Sequence, residues 1–212
     1  MKKILTLLLP LICSSLIALG QKSFEGKVTY QVRFISNIKG LSSEELTKRC
    51  ASEQVYYTKG NNYRYDWNGT IDQWSVYRSA DKKVYGKNSL SDTLQWYGVT
   101  VNHDTIYRID LKENDTTILG YPCDRLMFTC RSGIQAYYFN RELAVDPDLY
   151  KDYKEVNYFA YLSIAKSLAL KEVFMTPNYT EIVIATKVER IPIDDGLFVL
   201  PEGTAMKEIQ IR

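Results

Sequence analysis

The sequence predicts a mainly β protein with minor α content, whose strands pair mainly as an antiparallel sheet. Apolar and polar residues alternate in several short runs, a spacing typical of strands with one buried face. Short turns containing Gly, Asn, Asp or Ser separate several of these runs, and such turns join antiparallel neighbours. Only two insertions carry clear signals for helices.

The first strand is predicted over 27–35, where Val28, Tyr30, Val32 and Phe34 face one way and the intervening residues face the other. Short hairpin loops are expected at 59–61, 79–81, 131–133 and 176–178. No repeat or linker divides the chain, so residues 21–212 are expected to form a single domain. The further strands are predicted at about 54–59, 62–67, 71–78, 83–87, 93–101, 104–111, 121–131, 134–140, 168–175, 179–190 and 205–211.

The first helical insertion is predicted over about 43–52. Ser42 and Glu45 have the spacing of a capping box, and Leu41 and Leu46 have that of a hydrophobic staple. A second short helix is expected over about 147–154, because Asp146 and Pro147 match an N-cap followed by Pro at the first helical position. The apolar run 157–165 predicts either another short helix or a buried strand.

Residues 1–20 have the features of a secretory signal peptide. Lys2 and Lys3 precede an apolar run from Ile4 to Leu19, and the small residues of 18–20 predict cleavage before Gln21. The alternative is a membrane anchor, but Pro10 and the small-residue site favour cleavage. We therefore expect a mature protein that does not span a membrane and lies in the periplasm or is secreted.

The charge of the mature chain argues against nucleic-acid binding. The full sequence has 27 Lys and Arg against 25 Asp and Glu. The signal segment holds Lys2 and Lys3 and no acid, so the remainder has 25 of each. A near-neutral chain lacks the basic excess typical of nucleic-acid-binding domains.

Catalysis and metal binding find little support in the sequence. His103 is the only His and lies in a polar turn, and no Gly-x-Ser-x-Gly motif is present. Asp194 and Asp195 precede Gly196 and are typical of a turn. We expect no metal site, no cofactor and no enzymatic activity.

Three cysteines remain after the signal segment. Cys123 and Cys130 would lie about 23 Å apart along one extended strand, too far for a disulfide. Any bridge would therefore involve Cys50. The alternative is that all three are buried free thiols.

Alternating aromatic residues are the strongest candidates for a binding surface. Together they would line one face of the sheet and hold acyl chains or stack on sugar rings, whereas for any single residue the core is the favoured interpretation. The candidates are Tyr30, Val32, Phe34, Tyr63, Tyr65, Trp67 and Trp74.

Three motifs resemble those of a known group of secreted proteins of Gram-negative bacteria. They are Ile118-Leu-Gly-Tyr-Pro-Cys123, Tyr137-Tyr-Phe-Asn-Arg-Glu-Leu143 and a closing segment over 188–203 that contains Phe198 and Leu-Pro-Glu-Gly. These motifs are similar to those of the largely uncharacterised GLPGLI-related family. The Gly-Leu-Pro-Gly-Leu-Ile signature itself is replaced by the sequence at 158–164.

The resemblance implies a LolA/LolB-like architecture, which is a strongly curved antiparallel sheet or incomplete β-barrel with short helices over its concave face. It also implies that Cys123 pairs with an upstream cysteine, here Cys50. Relatives with this architecture include periplasmic carriers of lipoprotein acyl chains. We therefore expect a non-catalytic periplasmic carrier for a lipid or acyl chain. The alternative is a cell-envelope structural or interaction module with a fully packed core, which would contact an outer-membrane protein.

Overall fold

The computed structural model describes residues 22–210, so the predicted signal peptide 1–20 and its cleavage before Gln21 lie outside the described residues. Within this range the chain forms one sheet of twelve strands, two α-helices and three 3-10 turns. The strands are β1 (Gly26–Ser36), β2 (Glu53–Lys59), β3 (Asn62–Trp67), β4 (Asp72–Arg78), β5 (Lys83–Asn88), β6 (Leu94–Gly98), β7 (Ile106–Ile118), β8 (Tyr121–Cys130), β9 (Gly133–Ala144), β10 (Ser167–Met175), β11 (Tyr179–Glu189) and β12 (Met206–Glu208). The helices are α1 (Ser43–Cys50) and α2 (Tyr158–Ala165), and the 3-10 turns are Pro147–Tyr150, Glu155–Asn157 and Asp195–Phe198.

The sheet is open and almost entirely antiparallel. Its spatial order is β12-β6-β5-β4-β3-β2-β1-β11-β10-β9-β8-β7. The β12–β6 pair is parallel, and every other described pair is antiparallel. β12 and β7 lie at opposite ends and do not pair, so the sheet does not close. The predicted mainly β fold is confirmed.

The sheet curves strongly towards one face. The register shifts between Thr29 and Tyr30 in β1 and between Asp72 and Trp74 in β4, and further shifts occur where β9 meets β10. Such irregularities bend a strand and increase its twist. Side chains from β3 and from β9, five positions apart in the sheet order, consequently line the same cavity.

The predicted strands differ most from the observed ones at β7 and β12. β7 was expected to end near residue 111 but continues to Ile118. It passes through an irregularity between Lys112 and Thr116, where Asn114 has a φ of 50°. This irregularity interrupts the alternation of side chains along the strand, so the sequence pattern does not predict its second half. β12 is shorter than expected because only three of its residues pair with β6.

Helix α1 lies beside β1, beyond the part of β1 that pairs with β2. The side-chain hydroxyls of Thr47 and Ser43 accept hydrogen bonds from the backbone N–H groups of Phe34 and Ser36, each at 3.0 Å. The helix therefore satisfies an edge of β1 that has no strand neighbour. Ser42 caps the helix as predicted, with its oxygen 3.1 Å from the Glu45 backbone nitrogen.

Residues 147–165 cross the concave face of the sheet and are called here the crossing segment. It contains two of the 3-10 turns and α2, so the helical interpretation of 157–165 is confirmed and the predicted helix over 147–154 is reduced to one short turn. Tyr150, Tyr153 and Tyr161 are buried beneath it. The Tyr161 hydroxyl donates a 2.8 Å hydrogen bond to the Ser167 carbonyl, which anchors α2 to the start of β10.

Two apolar clusters stabilise the sheet, one on each face. The larger lies between the concave face and the crossing segment and includes Val28, Phe128 and Leu162, each essentially inaccessible to solvent. The smaller lies on the outer face, where Ile193 and Phe198 cover β4 and β5. Burial of this kind is the main source of folding free energy, about 25 cal/mol for each Å² of apolar surface.

The Cys50–Cys123 disulfide implied by the family resemblance does not form in this structure, in which Cys50, Cys123 and Cys130 are free thiols. Cys50 ends α1 beside β1, whereas Cys123 lies on β8, four positions further along the sheet. Four strand spacings amount to about 19 Å along the sheet, well beyond the Cα separation of a disulfide. The Cys123 thiol instead contacts the Tyr121 carbonyl at 3.3 Å.

Candidate ligand-binding cavity

A cavity of about 600 Å³ lies between the concave face and the crossing segment. This volume falls within the range of small-molecule sites, roughly 300–1,000 Å³. Strands from both halves of the sheet contribute to it. The lining residues are Tyr63, Tyr65, Trp67, Ser75, Val84, Tyr97, His103, Asp104, Arg131, Ser132, Gln135, Tyr137, Tyr153, Glu155, Val156, Tyr158, Glu172, Phe174, Thr176, Tyr179 and Glu181.

The structure places three of the seven predicted binding residues in the cavity wall. Tyr63, Tyr65 and Trp67 alternate along β3 and all face it. Their rings form a continuous surface, with Tyr65 stacked on Trp67 at 5.7 Å and Tyr63 in edge contact with Tyr65 at 5.4 Å. The Trp67 indole N–H donates to the Gln54 side chain at 3.0 Å, which fixes the orientation of its ring.

Tyr30, Val32 and Phe34 lie on the same inner face but belong to the packed core rather than to the cavity wall. All three are buried, and the Tyr30 hydroxyl donates a 2.9 Å hydrogen bond to the Ala169 carbonyl. The three side chains are therefore already packed within the core, where they stabilise the sheet behind the cavity wall.

The expectation that Trp74 shares the inner face is wrong. In the β3–β4 register Tyr65 lies opposite Ser75, and Asp66 lies opposite Trp74. Since side chains alternate along a strand, Trp74 points to the outer face. There it packs against the smaller cluster, with the Arg64 guanidinium 4.8 Å from its ring centroid.

The crossing segment supplies the opposite aromatic wall. Tyr153 and Tyr158 lie 4.9 Å apart between ring centroids, and the hydroxyls of Tyr153 and Tyr63 are 2.7 Å apart. Burial raises the pKa values of Tyr63, Tyr153 and Tyr158 well above the ordinary range. The phenols therefore remain neutral, as hydrogen-bonding groups on an otherwise apolar surface.

Two carboxyl groups lie within this aromatic surface. Phe174 on β10 lies opposite Glu181 on β11, and Glu172 lies opposite Val183, so both glutamates share the inner face. They are diagonal neighbours, a relationship that places two residues about 7–8 Å apart and their Cβ atoms slightly closer. Burial, and secondarily Glu181, raises the pKa of Glu172 to about 8. Burial, and secondarily Asp72, raises the pKa of Glu181 to about 7.

The rim of the cavity is polar. Asp104 accepts hydrogen bonds from the Ser132 hydroxyl at 2.6 Å and the Gln135 amide at 2.9 Å. Arg131 donates to the His103 carbonyl. His103 itself is exposed at this rim, as its place in a polar turn predicted, and it is not positioned by any carboxylate hydrogen bond among the described residues.

Sequence reasoning missed the two glutamates and the crossing-segment tyrosines. Glu172 is in phase with Leu170 and Phe174 along β10, and Glu181 is in phase with Tyr179 and Val183 along β11. A charged residue within an inward-facing alternation was therefore a usable signal. The tyrosines at 153 and 158 could not be placed because nothing in their local pattern shows that the segment crosses the sheet.

The arrangement is suited to holding a ligand that is part apolar and part polar. Among residues 22–210, no group of three His, Cys, Asp or Glu side chains is placed to hold a metal ion. Over the same residues, no helix has the length and apolar character needed to cross a bilayer.

Comparison with known proteins gives no family assignment. No family model matches the chain, and no curated protein matches it, so the GLPGLI-related resemblance stays a prediction. Among solved structures, the chain is similar to two structures of PNGF-II. The structure in the P21 space group has 13% identity and a TM-score of 0.48, and the one in the C2 space group has 14% identity and a TM-score of 0.47. The match covers 88% of this chain, which spans only about a third of those proteins, 32% and 31% of their lengths.

Proposed function

We propose that this chain is a non-catalytic binding or carrier protein that holds the apolar part of a ligand in the cavity on the concave face. In this proposal the protein acts in the periplasm or outside the cell, on a lipid or another molecule with an acyl chain. The observation that carries the proposal is the aromatic wall of Tyr63, Tyr65 and Trp67 facing a partly open cavity of about 600 Å³.

The energetics of such a cavity need no covalent step. Each methylene that leaves water for an apolar wall contributes about 0.8 kcal/mol, so ten of them contribute about 8 kcal/mol before ordering costs. Ring faces from β3 and from the crossing segment are available for this contact. Neutral phenols at the wall offer hydrogen bonds to a polar group on the same ligand.

Fluorescence titration with the neutral apolar probe N-phenyl-1-naphthylamine tests this proposal. We expect saturable enhancement with one probe bound for each chain, and displacement by long-chain alcohols. Denaturing mass spectrometry of the purified protein would additionally identify any co-purified lipid. If the probe fails to bind and no lipid is found, the proposal is wrong.

A second candidate function is a cell-envelope interaction module, and one observation favours it. β7 is an end strand of the sheet, and the side chains of Tyr107, Ile109 and Leu111 on it are about half exposed or more. An open strand edge with apolar side chains can add a further strand from a partner. Under this candidate, Ile109→Lys would abolish pull-down of an outer-membrane protein while probe binding stays unchanged.

A further inference from the structure

The cavity has an electrostatic feature that an apolar ligand alone does not explain. Neither Glu172 nor Glu181 forms an ion pair or a hydrogen bond with any described residue, and no cation offsets the burial of either. The adjacent cation Lys171 lies on the other face of β10, with its ammonium group 4.7 Å from the centroid of the Tyr138 ring. The only Lys or Arg among the described lining residues is Arg131, which lies at the rim and donates to the His103 carbonyl, so two acids face one aromatic space without an ion-pair partner.

The groups that are coupled electrostatically to the two acids are tyrosines, a thiol and other acids. Glu172 is close enough to raise the pKa of Tyr30, Tyr65, Tyr137 and Tyr161, which lie on β1, β3, β9 and α2. Glu181 acts in the same direction on Tyr179 and Cys50 and is itself affected by Asp72.

Both side chains keep some exposure to solvent. Partly buried acids without partners are still costly, and proteins normally pair such groups or keep them protonated. A ligand that brings a positive charge would supply the missing partner. The ring faces beside the acids add to this preference, because aromatic faces attract ammonium groups. A fatty-acid carboxylate would instead meet two like charges.

We infer that the cavity takes an organic cation, with the apolar body against Tyr63, Tyr65 and Trp67 and the ammonium group between Glu172 and Glu181. This inference rests on the proposed function and specifies the chemical class of its ligand. A divalent metal ion fits less well, because it needs more oxygen ligands than two diagonal carboxylates supply.

A matched series of twelve-carbon amphiphiles tests the inference with the protein at pH 8. Dodecylamine, dodecanol and dodecanoate, each below its micelle-forming concentration, compete for bound N-phenyl-1-naphthylamine. We expect dodecylamine to bind about tenfold tighter than dodecanol, as for a charge-assisted contact, and dodecanoate to bind weakest.

The Glu172→Gln/Glu181→Gln double variant should reduce the preference for amine over alcohol to within about twofold. Dodecanol binding should be retained by this variant. Glu113→Gln, which changes an exposed acid on β7, is the control and should keep the full preference.

The possible outcomes separate the two proposals. If dodecanol binds and dodecylamine binds no better, the cation inference is overturned and the carrier proposal stands. If the amine preference survives in the double variant, the assignment to these two acids is overturned. If none of the three amphiphiles nor the probe binds, both proposals fail together.

Discussion

The hydroxyls of Tyr63 and Tyr153 lie 2.7 Å apart, and this hydrogen bond joins β3 to the crossing segment inside the cavity. The two rings are also nearly parallel, with centroids 6.0 Å apart. The sheet and the crossing segment are thus connected through the wall of the candidate site. The stability of the fold and the shape of the cavity therefore depend on the same contact.

Tyr153→Phe should lower the free energy of unfolding by about 1 kcal/mol, because it removes one buried hydrogen bond and leaves the Tyr63 hydroxyl unpaired. Chemical denaturation measures this change. Tyr107→Phe on β7 is the matched control, since Tyr107 is 66% exposed and should change stability by less than about 0.5 kcal/mol. Equal losses in both variants would contradict the prediction.

The two cavity acids should make stability fall as pH rises. The pKa values of Glu172, about 8, and Glu181, about 7, lie above the ordinary value of 4.5, so the folded state retains protons that the unfolded chain releases. Their stabilising contribution is complete below about pH 4.5 and is lost as pH rises to about 8.

Glu172→Gln should flatten this pH dependence and raise the free energy of unfolding at pH 9 by roughly 2 kcal/mol. This figure allows for screening by water in the cavity. Thermal unfolding from pH 4.5 to 9 measures the effect, with Glu113→Gln as the exposed control. A variant with the same pH profile as the unmodified protein would refute the raised pKa of Glu172.

The two tryptophans on β3 and β4 should respond differently to truncation. Trp67→Ala removes a ring from the cavity wall and should weaken N-phenyl-1-naphthylamine binding about tenfold or more. Trp74→Ala removes a ring of the same size from the outer face and should leave probe affinity within about twofold. Similar losses in both variants would place the probe outside the cavity.

Gly69 should be intolerant of a side chain. A Cβ added there would lie 1.8 Å from the Cys50 carbonyl oxygen, so the loop that follows β3 would have to move away from the end of α1. We expect Gly69→Ala to cost about 1–3 kcal/mol of stability. Gly98→Ala on β6 is the control, because no atom lies within 4 Å of an added Cβ. Equal melting temperatures for the two variants would contradict this close approach.

All three described cysteines should be labelled without a reducing agent. Iodoacetamide in denaturant should modify Cys50, Cys123 and Cys130 completely, as mass spectrometry of the peptides would show. In the folded protein at pH 8 labelling should be slow, because burial raises the pKa of Cys50 to about 11 and that of Cys130 to about 12. Recovery of a bridged peptide pair would reinstate a disulfide.

Most strands were predictable because local chemistry determines them. The hairpin at 59–61 follows from Gly60, whose φ of 58° lies in a region that glycine enters without steric cost. It is harder to predict which face of the sheet a side chain lies on, because that depends on the pairing register between strands rather than on the local sequence pattern. The alternation of Trp74 and Val76 is real, yet the register with β3 turns both of them outward.

The candidate site was only partly accessible to sequence reasoning for a related reason. Its β3 wall follows from one strand, whereas the position of Glu172 beside tyrosines of β1, β3, β9 and α2 needs the curvature of the whole sheet. The separation of Cys50 from Cys123 depends in the same way on strand order. Neither the curvature of the sheet nor the order of its strands can be predicted from the local sequence pattern.

An unclosed sheet leaves the width of its hollow free to vary. In a closed barrel the number of strands and their stagger determine the bore, so a wider bore requires every strand to shift. Here β12 and β7 remain unjoined, so no closure condition ties the stagger of the described strands to the width of the space between them.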